Sequence, residues 1–310
     1  MRVAITGASG YIGSALTDWL ESHGHEVRQI VRGPESDAAA QWDPARGWVR
    51  AGAFDGMDAV VHLSGVSIAG KRWTSARRAL LRSSRIDSTV VLAGHLAAMS
   101  QPPKVLITMS GAGYYGDAGE AQLSEDSFRG SGFLADLVAD WEAAAATARA
   151  AGIRVVHART APVIGPDSEL LRRLLLPFRL GLGGRLGSGR QWFSWISTQD
   201  LVRALEFALA TPALDGPVNV VAPGPVRNSE FTKALGRQLR RPTIFPIPAF
   251  ALRLLFGPDL ASETLLVSQR ALPAALESHG FVFEQPSIDD ALAVALGRRP
   301  AADVQRGLAR

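Results

Sequence analysis

Near the N-terminus, Thr6-Gly7-Ala8-Ser9-Gly10-Tyr11-Ile12-Gly13 has the residue types and spacing of a phosphate cradle. The stretch follows a short apolar run, residues 3–5, and leads into a segment of helical character over residues 11–23. Glycines here permit a tight turn, let the backbone approach a pyrophosphate, and let the helix pack closely on the strand. The free amides at the helix N-terminus then face the phosphates. The chemistry implied is dinucleotide binding through Gly7, Ala8, Ser9, Gly10, Tyr11, Ile12 and Gly13. Domains that prefer NAD place an acidic residue about 20 positions further on. This chain has Arg32 there instead, at the end of the β-rich run 26–31. A guanidinium grips a 2′-phosphate that a carboxylate would repel. One such contact of about 1.5–3 kcal/mol gives a roughly ten- to hundredfold preference. The expected cofactor is therefore NADP (as NADPH) rather than NAD, although an arginine that merely ends a strand remains the plainer alternative. His62-Leu63-Ser64-Gly65 closes another apolar run, and Leu63, Ser64 and Gly65 would let the adenosine side lie against the backbone.

The elements that must position this turn alternate in character. Apolar runs at 3–5, 26–31, 59–63, 105–109 and 154–158 are separated by helical stretches, among them an arginine-rich one over 75–99 and another over 133–151. Strands separated by helices of this length pair in parallel through right-handed crossovers. The expected fold is α/β, a doubly wound parallel Rossmann sheet with its ligand at the carboxyl ends of the strands. After Gly165 the texture changes. Residues 181–189 carry five glycines, and 242–248 hold three prolines. Such punctuation suits a smaller, mainly helical C-terminal substrate lobe. The expected domains are an NADP-binding domain over 1–165, with 196–222 returning to it, and a substrate lobe over 166–195 and 223–296. The arginine-rich stretch 297–310 reads as a flexible tail.

Composition narrows the function classes. The 310 residues carry 33 basic and 29 acidic side chains, a formal charge of +4 and too mild a balance to argue for nucleic acid. Nearly all the cations are arginines, since only Lys71, Lys104 and Lys233 are lysines. The absence of cysteine removes disulfides, thiolate nucleophiles and cysteine-bound metals together. The six histidines are scattered with no helical pair to clamp a metal, so no metal site is expected. The chain begins with a short strand that runs straight into glycines, which is not a secretory signal. The apolar stretch 244–256 is interrupted by Pro246, Pro248 and Arg253, so no membrane span is expected. Cytoplasmic residence, without nucleic-acid or membrane partners, follows by default.

Further residues carry a resemblance over roughly residues 1–296. They are the glycine turn, 60–65, Arg72-Trp73-Thr74, Ser84-Arg85 with Thr89, the stretch from Ser110 to Tyr114-Tyr115-Gly116, and Trp141-Glu142. The most specific is Gly183-Gly184-Arg185-Leu186-Gly187-Ser188-Gly189-Arg190-Gln191-Trp192-Phe193-Ser194-Trp195-Ile196, with Asp200 shortly after. In the C-terminal lobe the matches are 223–231, Arg241-Pro242 and Gly280-Phe281. The chain resembles the atypical extended short-chain dehydrogenase/reductases of the epimerase family, the cell-division-inhibitor-like proteins. That resemblance implies an extended Rossmann subunit binding NADP and a helical C-terminal domain of unknown role. It does not imply a substrate.

Active extended short-chain enzymes use a Ser or Thr, a Tyr, and a Lys one helical turn after the Tyr; the tyrosine is the acid/base. Aligned on Glu142, the tyrosine place holds Leu134 and the lysine place Val138. Anchored on Tyr115-Gly116, the serine place falls on Gly111, with Ser110 just before it. Ser110 and Tyr115 remain as candidate catalytic groups. Ser110, Pro162 and Val163 are also candidates for the cofactor wall. Arg78, Arg82 and Arg85 recur at helical spacing, either as a solvated basic face or, with Arg85 favoured by the resemblance, as an anion site. Gln191, Trp192 and Trp195 could line a substrate pocket for a flat or apolar ligand, and packing is the alternative for Trp195. Two functions stay open: an NADP-dependent oxidoreductase or epimerase acting on an unidentified small carbonyl or nucleotide-linked substrate, or a non-catalytic NADP-binding sensor or regulator. Extended short-chain proteins often dimerise through the helices corresponding to 75–99 and 133–151, so a homodimer is a further expectation, opposed by the arginines of the first.

Overall fold

Most of the apolar runs become buried strands covered by the helical stretches, whereas the run over 26–32 keeps only Ile30 buried. The structure is a computed structural model that describes residues 1–33 and 40–298. The tail expected over 297–310 lies almost wholly outside the described residues. In chain order come β1 (Arg2–Thr6), α1 (Tyr11–Ser22), β2 (Glu26–Arg32), β3 (Gln41–Asp43), β4 (Trp48–Val49), β5 (Ala59–His62), α2 (Ser75–Ser83), α3 (Ile86–Ala97) and β6 (Val105–Gly111). There follow β7 (Gln122–Leu123), α4 (Phe133–Ala143), α5 (Ala146–Ala150), β8 (Arg154–Thr160), β9 (Val163–Ile164), α6 (Glu169–Arg179), β10 (Trp192–Phe193), β11 (Ile196–Ser197), α7 (Thr198–Ala210) and β12 (Gly216–Val220). The remainder holds β13 (Val226–Arg227), α8 (Asn228–Leu239), α9 (Ala249–Phe256), α10 (Pro258–Leu260), β14 (Arg270–Ala271), α11 (Ala274–Ser278) and α12 (Ile288–Ala295).

Eight strands form one sheet in the order β12-β8-β6-β5-β1-β2-β3-β4. The chain leaves β1 towards β2 on one side and returns to β5 on the other, so the order reverses at β1, the position where such sheets bind ligands. Every residue of β5 is buried, as is β1 beyond Arg2, the signature of parallel strands covered on both faces. Their registers align the carboxyl ends: Thr6 lies opposite His62, and His62 opposite Thr108. Beneath them, Ala4, Val60, Leu92, Leu96, Leu106 and Val155 pack into one core with Trp42 and Phe54.

Two compact units divide the chain. The first comprises Met1–Gly111, Asp136–Arg159 and Val202–Val218, and the second Ala112–Ala135, Thr160–Leu201 and the chain from Asn219 onward. The sequence expectation places boundaries at 165, 195 and 222, with 196–222 returning to the first domain; in the structure the returning segments are Asp136–Arg159 and Val202–Val218. The second unit has its own core around Ile164, Phe178, Trp195, Phe231, Leu235 and Leu292, and its sheets are only two-stranded. Among the described residues no helix is long and apolar enough to cross a membrane.

Two stretches expected as single helices are broken. The arginine-rich one divides at Ser84-Arg85 into α2 and α3. Ser84 and Ser88 return their hydroxyls to backbone carbonyls of the preceding turn, competition that bends helices. The helical phase is lost there, so Arg85 leaves the basic face carrying Arg78 and Arg82. The second stretch divides into α4 and α5.

Candidate functional site

The turn between β1 and α1 is held by contacts that only glycine allows. Gly7 has φ +73°, and a Cβ there would lie 2.9–3.0 Å from the backbone of Leu63 and Ser64. A Cβ on Gly13 would meet Gly7 O at 2.2 Å and Ala8 Cα at 2.7 Å. The turn is therefore pressed onto the end of β5 and onto its own helix, which brings Leu63 and Ser64 beside it. The N-terminus of α1 has no side-chain cap and no acid in its first turn, leaving its amides and dipole suited to an anion. Behind the turn, Thr6 Oγ1 and His62 Nδ1 are 2.6 Å apart, and His62 Nε2 lies 3.3 Å from Ser88 Oγ. Burial pushes the His62 imidazole down to about 3, helped by the Arg32 charge, so it is a neutral hydrogen-bonding group. Arg32 itself is exposed at the end of β2, opposite Trp42 of β3.

Arg85 sits at the joint between α2 and α3 with only 6% of its surface exposed. Its NH2 donates to Val66 O at 2.8 Å and its NH1 to Leu81 O at 3.4 Å, while the guanidinium stands 5.2 Å from the Trp141 ring. A Cβ on Gly65 would press against that guanidinium at 3.3 Å, so Gly65 is the residue that makes room for it. Among the described residues its buried Nε has no partner, and the bonds Arg85 makes go to carbonyls and a hydroxyl rather than to an acid. Burial, and then the Arg77 charge, push its pKa down to about 10. A buried cation without a counter-charge is costly, and it lies against the Gly65–Val66 backbone just after β5. By contrast, Arg82 reaches Asp140 at 2.5 Å on an open face.

At the carboxyl ends of β6 and β8 a second polar group forms. Ser110 Oγ donates to Glu142 Oε1 at 2.6 Å. Arg159 grips the same carboxylate with both arms, Nε to Oε1 and NH2 to Oε2, each at 2.8 Å. The Arg159 side chain is 3% exposed and that of Glu142 13%. One layer deeper, Thr108 Oγ1 and His157 Nδ1 are 2.8 Å apart. Burial is the main cause that pushes His157 down to about 4. Glu142 reaches this group because α4 places it beside Trp141, whose indole N–H donates to Thr89 Oγ1 at 3.0 Å. From sequence, Glu142 is only a landmark and Arg159 only a strand residue; no local pattern joins them.

Leu134 and Val138 are 7% and 3% exposed, ordinary apolar packing residues of α4. The N-terminus of that helix is capped by Glu263, which accepts from the amides of Phe133 and Leu134 at 3.1 and 2.8 Å.

The remaining candidates belong to the second unit. Tyr115 is 2% exposed, and its phenol donates to Asn219 Oδ1 at 2.6 Å. Gln191 donates to the carbonyls of Leu186 and Leu265, and Trp195, fully buried, donates to Gly224 O at 2.9 Å. Trp192 is half-buried between Arg227 and Arg270, whose guanidinium carbons lie 4.0 and 4.3 Å from its ring, and its N–H donates to Glu120. Val163 pairs with Ile196 in the β9–β11 ladder, and Pro162 O accepts from the Ile196 amide. The expected alternation over 191–196 thus becomes two short strands, β10 and β11. Among the described residues no three His, Asp or Glu groups stand close enough to hold a metal.

Comparison with known proteins rests on sequence and fold together. The model of the NAD dependent epimerase/dehydratase family matches residues 3–222, and a domain of unknown function matches residues 247–295. An epimerase family protein of Mycobacterium tuberculosis is 48% identical over 297 residues, covering 96% of this chain and 98% of its own. The chain belongs to the NAD-dependent epimerase/dehydratase family. The crystal structure of human epimerase family protein SDR39U1 with NADPH superposes with a TM-score of 0.87 at 33% identity, covering 96% of this chain and 99% of that one. A nucleoside-diphosphate sugar epimerase of Corynebacterium glutamicum gives 0.78 at 35% identity, covering 99% of this chain and 61% of that one. The family's dinucleotide has a physical place in these residues: the Gly7–Gly13 cradle that a Cβ would fill, and, in the same unit, the Arg85 guanidinium against Gly65, its Nε without a partner among the described residues.

Proposed function

We propose that this epimerase-family protein binds NADP(H) at the turn after β1 and is an oxidoreductase or epimerase acting on a small carbonyl or nucleotide-linked substrate. In this reading Ser110 and Glu142 stand in for the tyrosine and lysine that Leu134 and Val138 replace. The 2.6 Å bond between Ser110 Oγ and Glu142 Oε1 at the end of β6 carries the reading. The amides of 7–13 and the α1 N-terminus would hold the pyrophosphate, Arg32 the 2′-phosphate, and Leu63, Ser64 and Gly65 the adenosine side. Arg85 would answer the cofactor's negative charge. When bound, NADP(H) supplies hydride transfer, which no side chain can.

Ser110 already donates to Glu142, so a proton taken up at Ser110 Oγ from a substrate hydroxyl can pass to Glu142 Oε1. The reverse path protonates a carbonyl oxygen. Arg159 fixes both carboxylate oxygens, so Glu142 cannot rotate away from the serine. The NADPH-bound human relative and the C. glutamicum sugar-nucleotide epimerase support this cofactor and substrate class. Cytoplasmic residence suits a cysteine-free NADP(H) protein.

The second reading, a sensor or regulator without chemistry, is favoured by the apolar residues at 134 and 138. One experiment separates the two. Purified protein is incubated with NADPH carrying deuterium at C4 and a metabolite extract, and label is followed into product for wild type, Ser110→Ala and Glu142→Gln. The enzyme reading expects transfer in wild type that both variants abolish while still binding NADPH. Transfer unchanged in Ser110→Ala would overturn the proton path, and NADPH binding by wild type with neither label transfer nor epimerisation of any substrate in the extract would establish the sensor.

A further inference from the structure

Sixteen large hydrophobic side chains are exposed among the described residues, and half of them lie in two short segments of the second unit. Leu176, Leu180 and Leu182 lie at the end of α6 and just after it; Ile244, Phe245, Phe250, Leu254 and Leu255 lie on α9 and its approach. Each is 61–72% exposed. Backbone contacts join the segments. Gly187 N donates to Ile247 O and Ile247 N to Arg185 O, both at 2.9 Å, and Arg241 Nε donates to Arg179 O at 2.8 Å. Gly184 lies so close to Phe245 O that a Cβ there would sit 1.6 Å away. The two segments are therefore neighbours in the second unit.

The charge along both segments is predominantly positive. Residues 170–199 hold Arg172, Arg173, Arg179, Arg185 and Arg190 without one acid, and residues 231–258 hold Lys233, Arg237, Arg240, Arg241 and Arg253 without one acid. All ten cations are exposed. Flanking acids pair with two of them, Glu169 with Arg173 and Asp289 with Arg237. Lys233, Arg237, Arg240 and Arg241 also line a shallow depression that reaches Thr243, directly before Ile244.

We propose that this face docks on an anionic phospholipid surface, with Phe250, Leu254 and their neighbours entering the headgroup–acyl boundary and the arginines meeting the lipid phosphates. Side chains two-thirds exposed stand off the surface rather than line a groove. An apolar face fringed by arginine is the chemistry of interfacial helices, and arginine stems bury their methylenes while the charged head reaches phosphate. A second copy of the chain fits poorly, because a two-fold contact would set this excess of cations against its own image. The expectation of no membrane partner rests on the lack of a spanning-length run, which this mode does not require.

The test is co-sedimentation of the full chain with phosphatidylcholine vesicles with and without phosphatidylglycerol. Binding is expected only with phosphatidylglycerol, and it falls as salt rises. Phe250→Ser with Leu254→Ser, and separately Arg240→Glu with Arg241→Glu, should each weaken it at least about tenfold while NADPH binding, read in parallel, stays unchanged and certifies the fold. No binding to either vesicle, or equal binding by the variants, would overturn the proposal. So would light scattering that shows a wild-type dimer made monomeric by the serine variant.

Discussion

Replacing Gly13 with alanine adds one methyl group where the backbone of the turn already stands. The new Cβ would lie 2.2 Å from Gly7 O, 2.7 Å from Ala8 Cα and 2.9 Å from Ala8 C, whereas real Cβ contacts essentially never fall below 3.0 Å. The nearest atom must therefore retreat by at least 0.8 Å, from 2.2 to 3.0 Å. All three obstacles are backbone, so no rotamer change relieves them. Overpacking of this kind costs about 1–3 kcal/mol of stability. Displacing binding groups by about 1 Å can cost about a hundredfold where geometry is critical. Gly13→Ala should therefore weaken NADPH binding by roughly ten- to a hundredfold, read by calorimetric titration. Gly94→Ala in α3 is the control. A Cβ there meets nothing within 4 Å, so the helix gains about 0.5–1 kcal/mol and NADPH binding is unchanged. Wild-type affinity in Gly13→Ala, with the fold intact by circular dichroism, would refute the placement of the cofactor in this turn.

Other outcomes follow from the same structure. Arg32→Asp should erase the NADP preference, weakening NADPH by roughly ten- to a hundredfold while sparing NADH; parallel losses for both cofactors would contradict the role given to Arg32. Arg159→Met strands the Glu142 carboxylate in a nearly closed site, which should cost about 3–5 kcal/mol in urea unfolding, and Glu142→Leu added to it should restore most of the loss. His62 and His157 are held down at about 3 and 4 against an ordinary 6.5. Below pH 6.5 the unfolded chain takes up protons that the native one refuses, so stability falls with acid. At about 1.36 kcal/mol per pKa unit, the midpoint of thermal unfolding should drop steadily from pH 6.5 to pH 4. The drop should be smaller in His62→Gln, and a flat profile would contradict the burial of both rings.

The parts of this molecule legible in its sequence are those governed by local rules. Glycine spacing after an apolar run announces the turn, because the close approaches of Gly7 and Gly13 involve neighbours in sequence or the end of the adjacent strand. Runs such as 59–63 and 105–109 announce buried parallel strands. What stayed hidden depends on partners far along the chain. Glu142 meets Ser110 across 32 positions, and Glu263 caps α4 across 130. Arg85 is marked by the resemblance as an anion site, but its burial is not legible: helical periodicity groups it with Arg78 and Arg82 on one face until the break at Ser84 turns it inward. Alternation over 191–196 likewise cannot tell which aromatic faces a core, and Trp195 proves to be the fully buried one.

The most direct test of the central claim is calorimetric titration of the purified chain with NADPH and with NADH under identical conditions. One bound dinucleotide per chain is expected, with NADPH tighter by about tenfold or more. Tighter binding of NADH, or no binding of either, would contradict it.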